Sequence, residues 1–297
     1  MAILTRALSD DGSVMAMAID STDLVRRAEQ IHRTSAVITA AAGRLLTAAS
    51  MMGWLLKGEG DTVTLRLDGG GPAGVLIAAA DSQGRVRVSP QNPVVELPLN
   101  EKGKLDVGGA VGRAGSLSVI RDLGLREPYI GQVPLVSGEV AEDITSYFAV
   151  SEQTPTVCGL GVLVNPDLTV RSAGGFLVQL LPFAGEGSIS QLEQNIAGLP
   201  PVSAVFDSGM SPEALCKQLL DGLGPQILDE CRPSYYCPCS RGRVERALVS
   251  LGPEELADMI REDHGAEVCC HFCDKRYCFS EDELAALLRQ CSGKGEV

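Results

Sequence analysis

The sequence predicts an α+β protein in three parts: an N-terminal α+β domain of packed sheets and helices over 1–182, a helical linker over 183–230, and a small C-terminal four-cysteine domain over 231–297. Three observations carry this expectation. Up to Pro182, strand-like segments alternate with turns rich in Gly, Pro, Asn and Asp. Beyond it, Ile189, Leu192, Ile196 and Leu199 recur at the three- and four-residue spacing of a helix. Cysteines are concentrated at the C-terminal end: Cys158 alone lies in the first 200 residues, and eight of the ten fall from Cys231 onward.

The elements follow in order. Ile3–Leu8 and Val14–Ile19 read as a hairpin around Asp10-Asp11-Gly12, and Ser21 and Thr22 are placed to cap the next helix. Ser35 to Lys57 is rich in Ala, Leu and Met and stops at Gly58 and Gly60, which predicts a buried helix. Strands are predicted at Val63–Leu67, Ala73–Ala80 and Arg85–Val88, turning at Gly69-Gly70-Gly71-Pro72 and between Asp81 and Gly84. Pro90 to Gly115 reads as irregular. Ser116–Arg121 and Tyr129–Leu135 are strands, Val140–Gln153 is a helix, and Val157–Val164 pairs with Thr169–Leu181 across Asn165-Pro166-Asp167. In the linker, Ser211 is an N-cap and Pro212 the first helical residue of a segment ending at Leu220. The C-terminal domain predicts helices at Gly242–Leu251, Glu254–Glu262 and Ser280–Gln290, the last opened by Ser280 and Glu283 at capping-box spacing.

Charge narrows the partners. Twenty-five Lys and Arg against 38 Asp and Glu give a formal charge of −13, which repels phosphate backbones and anionic lipid, so neither nucleic acid nor membrane is an expected partner. No stretch is expected to reach the roughly 18–20 apolar residues that cross a bilayer. The opening MAILTRALSDDGS lacks the basic segment and apolar run of an export signal, so the expected location is cytoplasmic. In such a chain, ten cysteines point to metal or redox chemistry rather than a disulfide scaffold.

The chemistry sits in Cys237-Pro-Cys239, thirty intervening residues, then Cys270-His-Phe-Cys273. Two close pairs separated by a folded insert are how a small module supplies the four tetrahedral sulfurs that zinc prefers, so one Zn²⁺ per chain is expected in the reduced protein. Cys269 could replace Cys270 at a C-x₃-C spacing that zinc also accepts, and spacing alone leaves this open. Spacing alone also describes an inert structural staple. A module of about 60 residues is marginally stable by itself, whereas zinc binding is worth roughly 10–16 kcal/mol in small zinc peptides, so losing the metal should unfold it. Cys278, between Tyr277 and Phe279, reads as a core residue, Cys231 and Cys291 as small buried or free thiols, and Cys158 as packed in a strand. His271 is expected to face solvent because four sulfurs fill the shell, and His32 and His264 are read the same way.

Several blocks in order, AGRLLTAASMM (42–52), SGEVAEDITSYFAVSEQTPT (137–156), AGGFLVQLLP (173–182) and CPCSRGRVERAL with MIREDHGAEVCCHFC, resemble the 33 kDa chaperonin family of redox-regulated bacterial holdases over nearly the whole chain. The resemblance selects Cys270 over Cys269. It implies a non-enzymatic cytoplasmic chaperone, inactive while Cys237, Cys239, Cys270 and Cys273 hold zinc. Oxidation to Cys237–Cys239 and Cys270–Cys273 disulfides expels the metal, and the protein then homodimerises and binds unfolding client proteins without ATP. Linker and zinc module unfold together in that family. The apolar surface so exposed would be, in this chain, a sheet face of the first domain with Ile189, Leu192, Ile196 and Leu199, which form a buried helix face in the reduced state.

Two other functions are weaker. A zinc-ribbon nucleic-acid binder needs clustered Lys and Arg, but residues 233–297 carry 8 basic and 12 acidic side chains, a net −4. A thiol–disulfide oxidoreductase would place Cys270-x-x-Cys273 in a βαβ setting, which the flanking sequence does not supply. Gly69-Gly70-Gly71 lacks the Lys-Ser/Thr of a phosphate loop, and no histidine flanks Ser151 to make it a nucleophile.

Overall fold

Alternation in the first twenty residues becomes the hairpin β1 (Ile3–Leu8) and β2 (Val14–Asp20), turned at Gly12 with φ 70°. The structure is a computed structural model that describes residues 1–182 and 184–292. Position 183, the first residue of the expected linker, and 293–297 of the expected C-terminal domain lie outside the described residues. Helix α1 (Thr22–His32) starts after Ser21, but the Ser21 hydroxyl does not cap it. That side chain is buried and shares a 2.7 Å hydrogen bond with Thr47 Oγ1, while Asp20 Oδ1 accepts the Thr22 N–H at 3.0 Å. Burial demands a partner for the hydroxyl, and the exposed end of the turn is left to the carboxylate.

Helix α2 (Ala36–Trp54) is buried at every residue except Ala36, Arg44 and Trp54. Nineteen residues at a mean hydropathy of 1.3 are long and apolar enough to cross a bilayer, contrary to the expectation that no stretch would be, but 89% of the window is covered by protein. The neighbour α1 approaches closely at Gly43, where a Cβ would lie 2.7 Å from Val25 Cγ1.

The remaining elements of the N-terminal unit are β3 (Thr62–Asp68), β4 (Leu76–Asp81), β5 (Arg85–Pro90), α3 (Val107–Val111), β6 (Ser116–Asp122), β7 (Tyr129–Pro134), α4 (Val140–Val150), β8 (Thr156–Val164), β9 (Val170–Leu180), α5 (Glu186–Ala197), α6 (Val202–Asp207), α7 (Pro212–Leu219), β10 (Gln226–Cys231) and β11 (Ser234–Tyr235). They build a five-stranded sheet, β10-β1-β2-β9-β8, and a six-stranded sheet, β11-β5-β4-β3-β6-β7, with α2 against both. Strand β2 is apolar throughout because both of its faces are covered. Met15, Met17 and Ile19 enter the central core with α2, while Val14, Ala16 and Ala18 meet Leu192, Phe206, Leu215 and Leu219 of α5, α6 and α7. Helix α3 interrupts the segment read as irregular and is capped by Asp106, whose Oδ1 accepts the Gly109 N–H at 2.9 Å.

The chain divides between Tyr236 and Cys237 rather than at 231. The reason is pairing: β10 runs antiparallel to β1 in a register from Leu4↔Cys231 to Leu8↔Gln226, joined by an Arg6–Asp229 ion pair, and β11 adds to β5 in parallel. The segment expected to be a helical linker therefore ends in a strand of the first sheet.

The C-terminal unit holds α8 (Arg241–Leu251), α9 (Pro253–Asp258), a π-helical turn over Met259–Asp263, the hairpin β12 (Gly265–Cys269) and β13 (Arg276–Ser280), and α10 (Glu281–Ser292). The capping box forms: Ser280 N–H donates to Glu283 Oε2 at 2.9 Å, and Glu283 N–H to Ser280 Oγ at 3.3 Å. Its core among the described residues is small, made of Leu248, Leu256, Tyr277, Phe279, Leu284 and Leu287.

Candidate metal centre

The sequence Cys237-Pro-Cys239 lies between β11 and α8, outside any regular element, and is followed by Ser240, whose hydroxyl accepts the Arg243 N–H to open α8. Its partner pair comes from the β12–β13 turn. Cys270 N–H donates to the Lys275 carbonyl at 2.9 Å, and the Cys270 carbonyl accepts from Cys273 N–H at 3.3 Å and Asp274 N–H at 2.9 Å. Asp274 closes the turn at φ 58°, in the left-handed region that Asp tolerates better than most residues. The folded backbone thus aims Cys270 and Cys273 at the same point as the first pair.

The four Sγ atoms lie within 4.8 Å of one another. Cys237 and Cys270 are 3.6 Å apart, and Cys239 and Cys273 3.3 Å. Four sulfurs at a Zn–S distance near 2.3 Å form a tetrahedron with edges of about 3.8 Å, so this cluster fits a tetrahedral thiolate site of the kind zinc occupies. All four thiols are half-buried. Burial pushes Cys237 up to about 11 and raises Cys273 as well. For Cys239 burial acts in the same direction, but donation from the Tyr277 hydroxyl and the thiols of Cys273, Cys237 and Cys270 outweighs it and brings the group down to about 7. These hydrogen bonds therefore favour the thiolate form at Cys239.

Tyr277 is a functional contact that sequence reasoning missed. Its ring packs in the module core and its hydroxyl donates to Cys239 Sγ at 3.1 Å. The apolar alternation of Tyr277 and Phe279 pointed only to a core strand. Cys278, between them, is exposed rather than buried, because alternation on β13 that turns both aromatics inward turns the residue between them outward.

The other thiols and imidazoles fall outside the cluster. Cys269 is exposed at the end of β12, with its Sγ 3.0 Å from Asp274 Oδ1. Cys291 is half-buried near the Val249 carbonyl, and Cys231 is half-buried against the central core. Cys158 is buried in β8, and burial pushes it up to about 12. His271 and His264 are exposed, but His32 is not simply solvent-facing: its Nε2 lies 2.8 Å from the Val88 carbonyl and 3.4 Å from the Tyr235 hydroxyl. Leu192 is buried on α5, Ile196 and Leu199 pack beside it at the outer sheet face, and Ile189 is half-buried.

An α+β unit followed by a small module carrying four clustered thiols defines a two-part protein with a candidate metal site near its C-terminus. A family model described as Hsp33 protein matches residues 3–280, and the chain belongs to that family. The 33 kDa chaperonin of Clostridioides difficile (strain 630) is 50% identical over 285 residues, covering 96% of this chain and 98% of that one. The 33 kDa chaperonin of Bacillus subtilis (strain 168) is 45% identical, covering 98% and 99%. The crystal structure of the 33 kDa chaperonin from Thermotoga maritima superposes with a TM-score of 0.90 at 38% identity, covering 98% of this chain and 99% of that one. The relatives are named as chaperonins, and chaperone is the class of protein they define.

Proposed function

We propose that this protein is a redox-regulated, ATP-independent holdase, held inactive while Cys237, Cys239, Cys270 and Cys273 bind one Zn²⁺ and activated when those thiols are oxidised. The observation that carries the reading is the convergence of the two cysteine pairs in a module with a core of few side chains. When bound, the zinc ion keeps the four sulfurs as thiolates and ties α8 to the β12–β13 turn. Oxidant attacks thiolate rather than thiol, and sulfurs held by zinc would be available to it in that form. Pairing of Cys237 with Cys239 and of Cys270 with Cys273 takes two electrons per bond from the thiolates; peroxide accepts them and, with two protons from solvent, leaves as two waters, and the sulfurs lose the charge that would hold the metal. The module core then lacks the burial needed to stay folded.

Unfolding clients are the partners of the activated state, which forms a homodimer, and the proposed location is cytoplasmic, where the thiols stay reduced until challenged. The client surface is the outer face of the five-stranded sheet with Ile189, Leu192, Ile196 and Leu199, covered in the present structure by the packing of α5 and its neighbours. The test is a light-scattering assay of an aggregating client run beside a zinc-chelating reporter. Reduced, zinc-loaded protein should fail to suppress aggregation, and peroxide with mild heat should release about one zinc per chain and produce suppression. Equal suppression in both states would remove the switch.

A further inference from the structure

A second site lies in the N-terminal unit, where a cavity of about 700 Å³ opens between the first half of α2, the 99–105 loop, β8 with its hairpin tip, and the start of α6. That volume is within the range of roughly 300–1,000 Å³ of small-molecule sites. Its walls are aliphatic, with Ala36, Leu160 and Val202 among them, and no aromatic side chain among the described residues lines it. Flexible methylene chains fit such walls, whereas a planar base or ring would find nothing to stack on. Leu168, at the hairpin tip, is 47% exposed at the rim and held at φ 71°, an uncommon conformation for leucine.

The polar lining has one sign. Among the described residues, Arg44 and Lys104 are its charged lining and no Asp or Glu lines it, in a chain with a net charge of −13. Arg44 is 20% exposed and pairs with Glu139, while Lys104 is exposed and forms no ion pair among the described residues. Cationic N–H groups at the edge of an aliphatic cavity form charge-assisted hydrogen bonds with an anionic head group. We propose that this cavity binds a single-chain aliphatic carboxylate, with the chain along the Leu160 and Val202 walls and the head group between Arg44 and Lys104. One wall belongs to α6, which seats directly on β8: a Cβ on Gly161 would lie 2.3 Å from the Ser203 backbone nitrogen. The complete site therefore exists only while α6 is docked, and a bound carboxylate stabilises that docked state by mass action. Nothing in this site depends on the redox chemistry of the thiols.

The experiment uses reduced, zinc-loaded full chain titrated with decanoate below its micelle concentration, by calorimetry and by thermal unfolding. One saturable equivalent is expected, with a raised unfolding midpoint. Lys104→Glu should weaken binding at least tenfold, Ala36→Phe should block it, and 1-decanol should bind at least tenfold more weakly than decanoate. Binding unchanged by Lys104→Glu, equal affinity for the alcohol, a lowered midpoint, or retention on phosphatidylglycerol vesicles without one-to-one decanoate binding would each overturn the assignment. Lys104 lies on an exposed loop, so its variant reports on binding even where Ala36→Phe disturbs folding.

Discussion

Replacing Leu256 by alanine should weaken zinc binding although this side chain is not among the proposed ligands. Leu256 is 0% exposed in the six-residue core of the cysteine module, so its truncation leaves a cavity with few neighbours to collapse into it. Leu→Ala changes in cores cost roughly 2.7–5 kcal/mol, and about 3 kcal/mol is a fair value for a module that can partly relax. If the metal-free module is unfolded, metal binding and folding are one equilibrium, and the whole cost appears in the apparent affinity. At about 1.4 kcal/mol per tenfold, the affinity should fall by about 100-fold. Competition against a chromophoric chelator, on reduced full-length protein, measures this directly. Leu65→Ala, in the separate core of the N-terminal unit, is the control and should leave zinc affinity unchanged. An unaltered affinity in Leu256→Ala, with the variant otherwise folded, refutes the reasoning, because the module would then stand without its metal.

Three further outcomes are expected. Cys237 at about 11 and Cys273, also raised, must each shed a proton to become ligands, so zinc affinity should fall at least about 100-fold per unit as pH drops from 8 to 7; a dependence below tenfold in the same chelator competition contradicts the proton count. Tyr277→Phe keeps the packed ring but removes the hydrogen bond to Cys239, and should lower zinc affinity about tenfold, the low end of the range for groups that orient metal ligands because the cluster is only half-buried. Cys270→Ser should lose stoichiometric zinc while Cys269→Ser keeps it, read by metal content after gel filtration; the reverse pattern would place the wrong sulfur in the shell.

Much of the fold was legible because local rules sufficed. The opening hairpin, α2, the Ser211 cap and the Ser280–Glu283 capping box each depend on residues within a few positions of one another. Strands β10 and β11 were not legible: QILDEC lacks clean alternation, and its structure comes from pairing with β1 more than 200 residues away. The β12–β13 hairpin was not legible because its strands are five residues each and carry little apolar alternation beyond Tyr277 and Phe279, which mark one inward face. For the site, spacing alone singled out the four-sulfur set but could not separate Cys269 from Cys270. That choice is made by direction: at the end of β12, Cys269 points to solvent and Asp274, and the next residue turns inward.

The pairing of β1 with β10 carries a consequence for how the chain is made. Arg6 reaches Asp229 across a separation of 223 residues, so β1 must wait for nearly the last segment of its unit before the sheet is complete. Contacts of that span close slowly, and until they do the outer edge of β1 offers unsatisfied backbone groups to any neighbouring chain. A nascent molecule of this family member is, for most of its synthesis, itself in need of the protection a holdase gives.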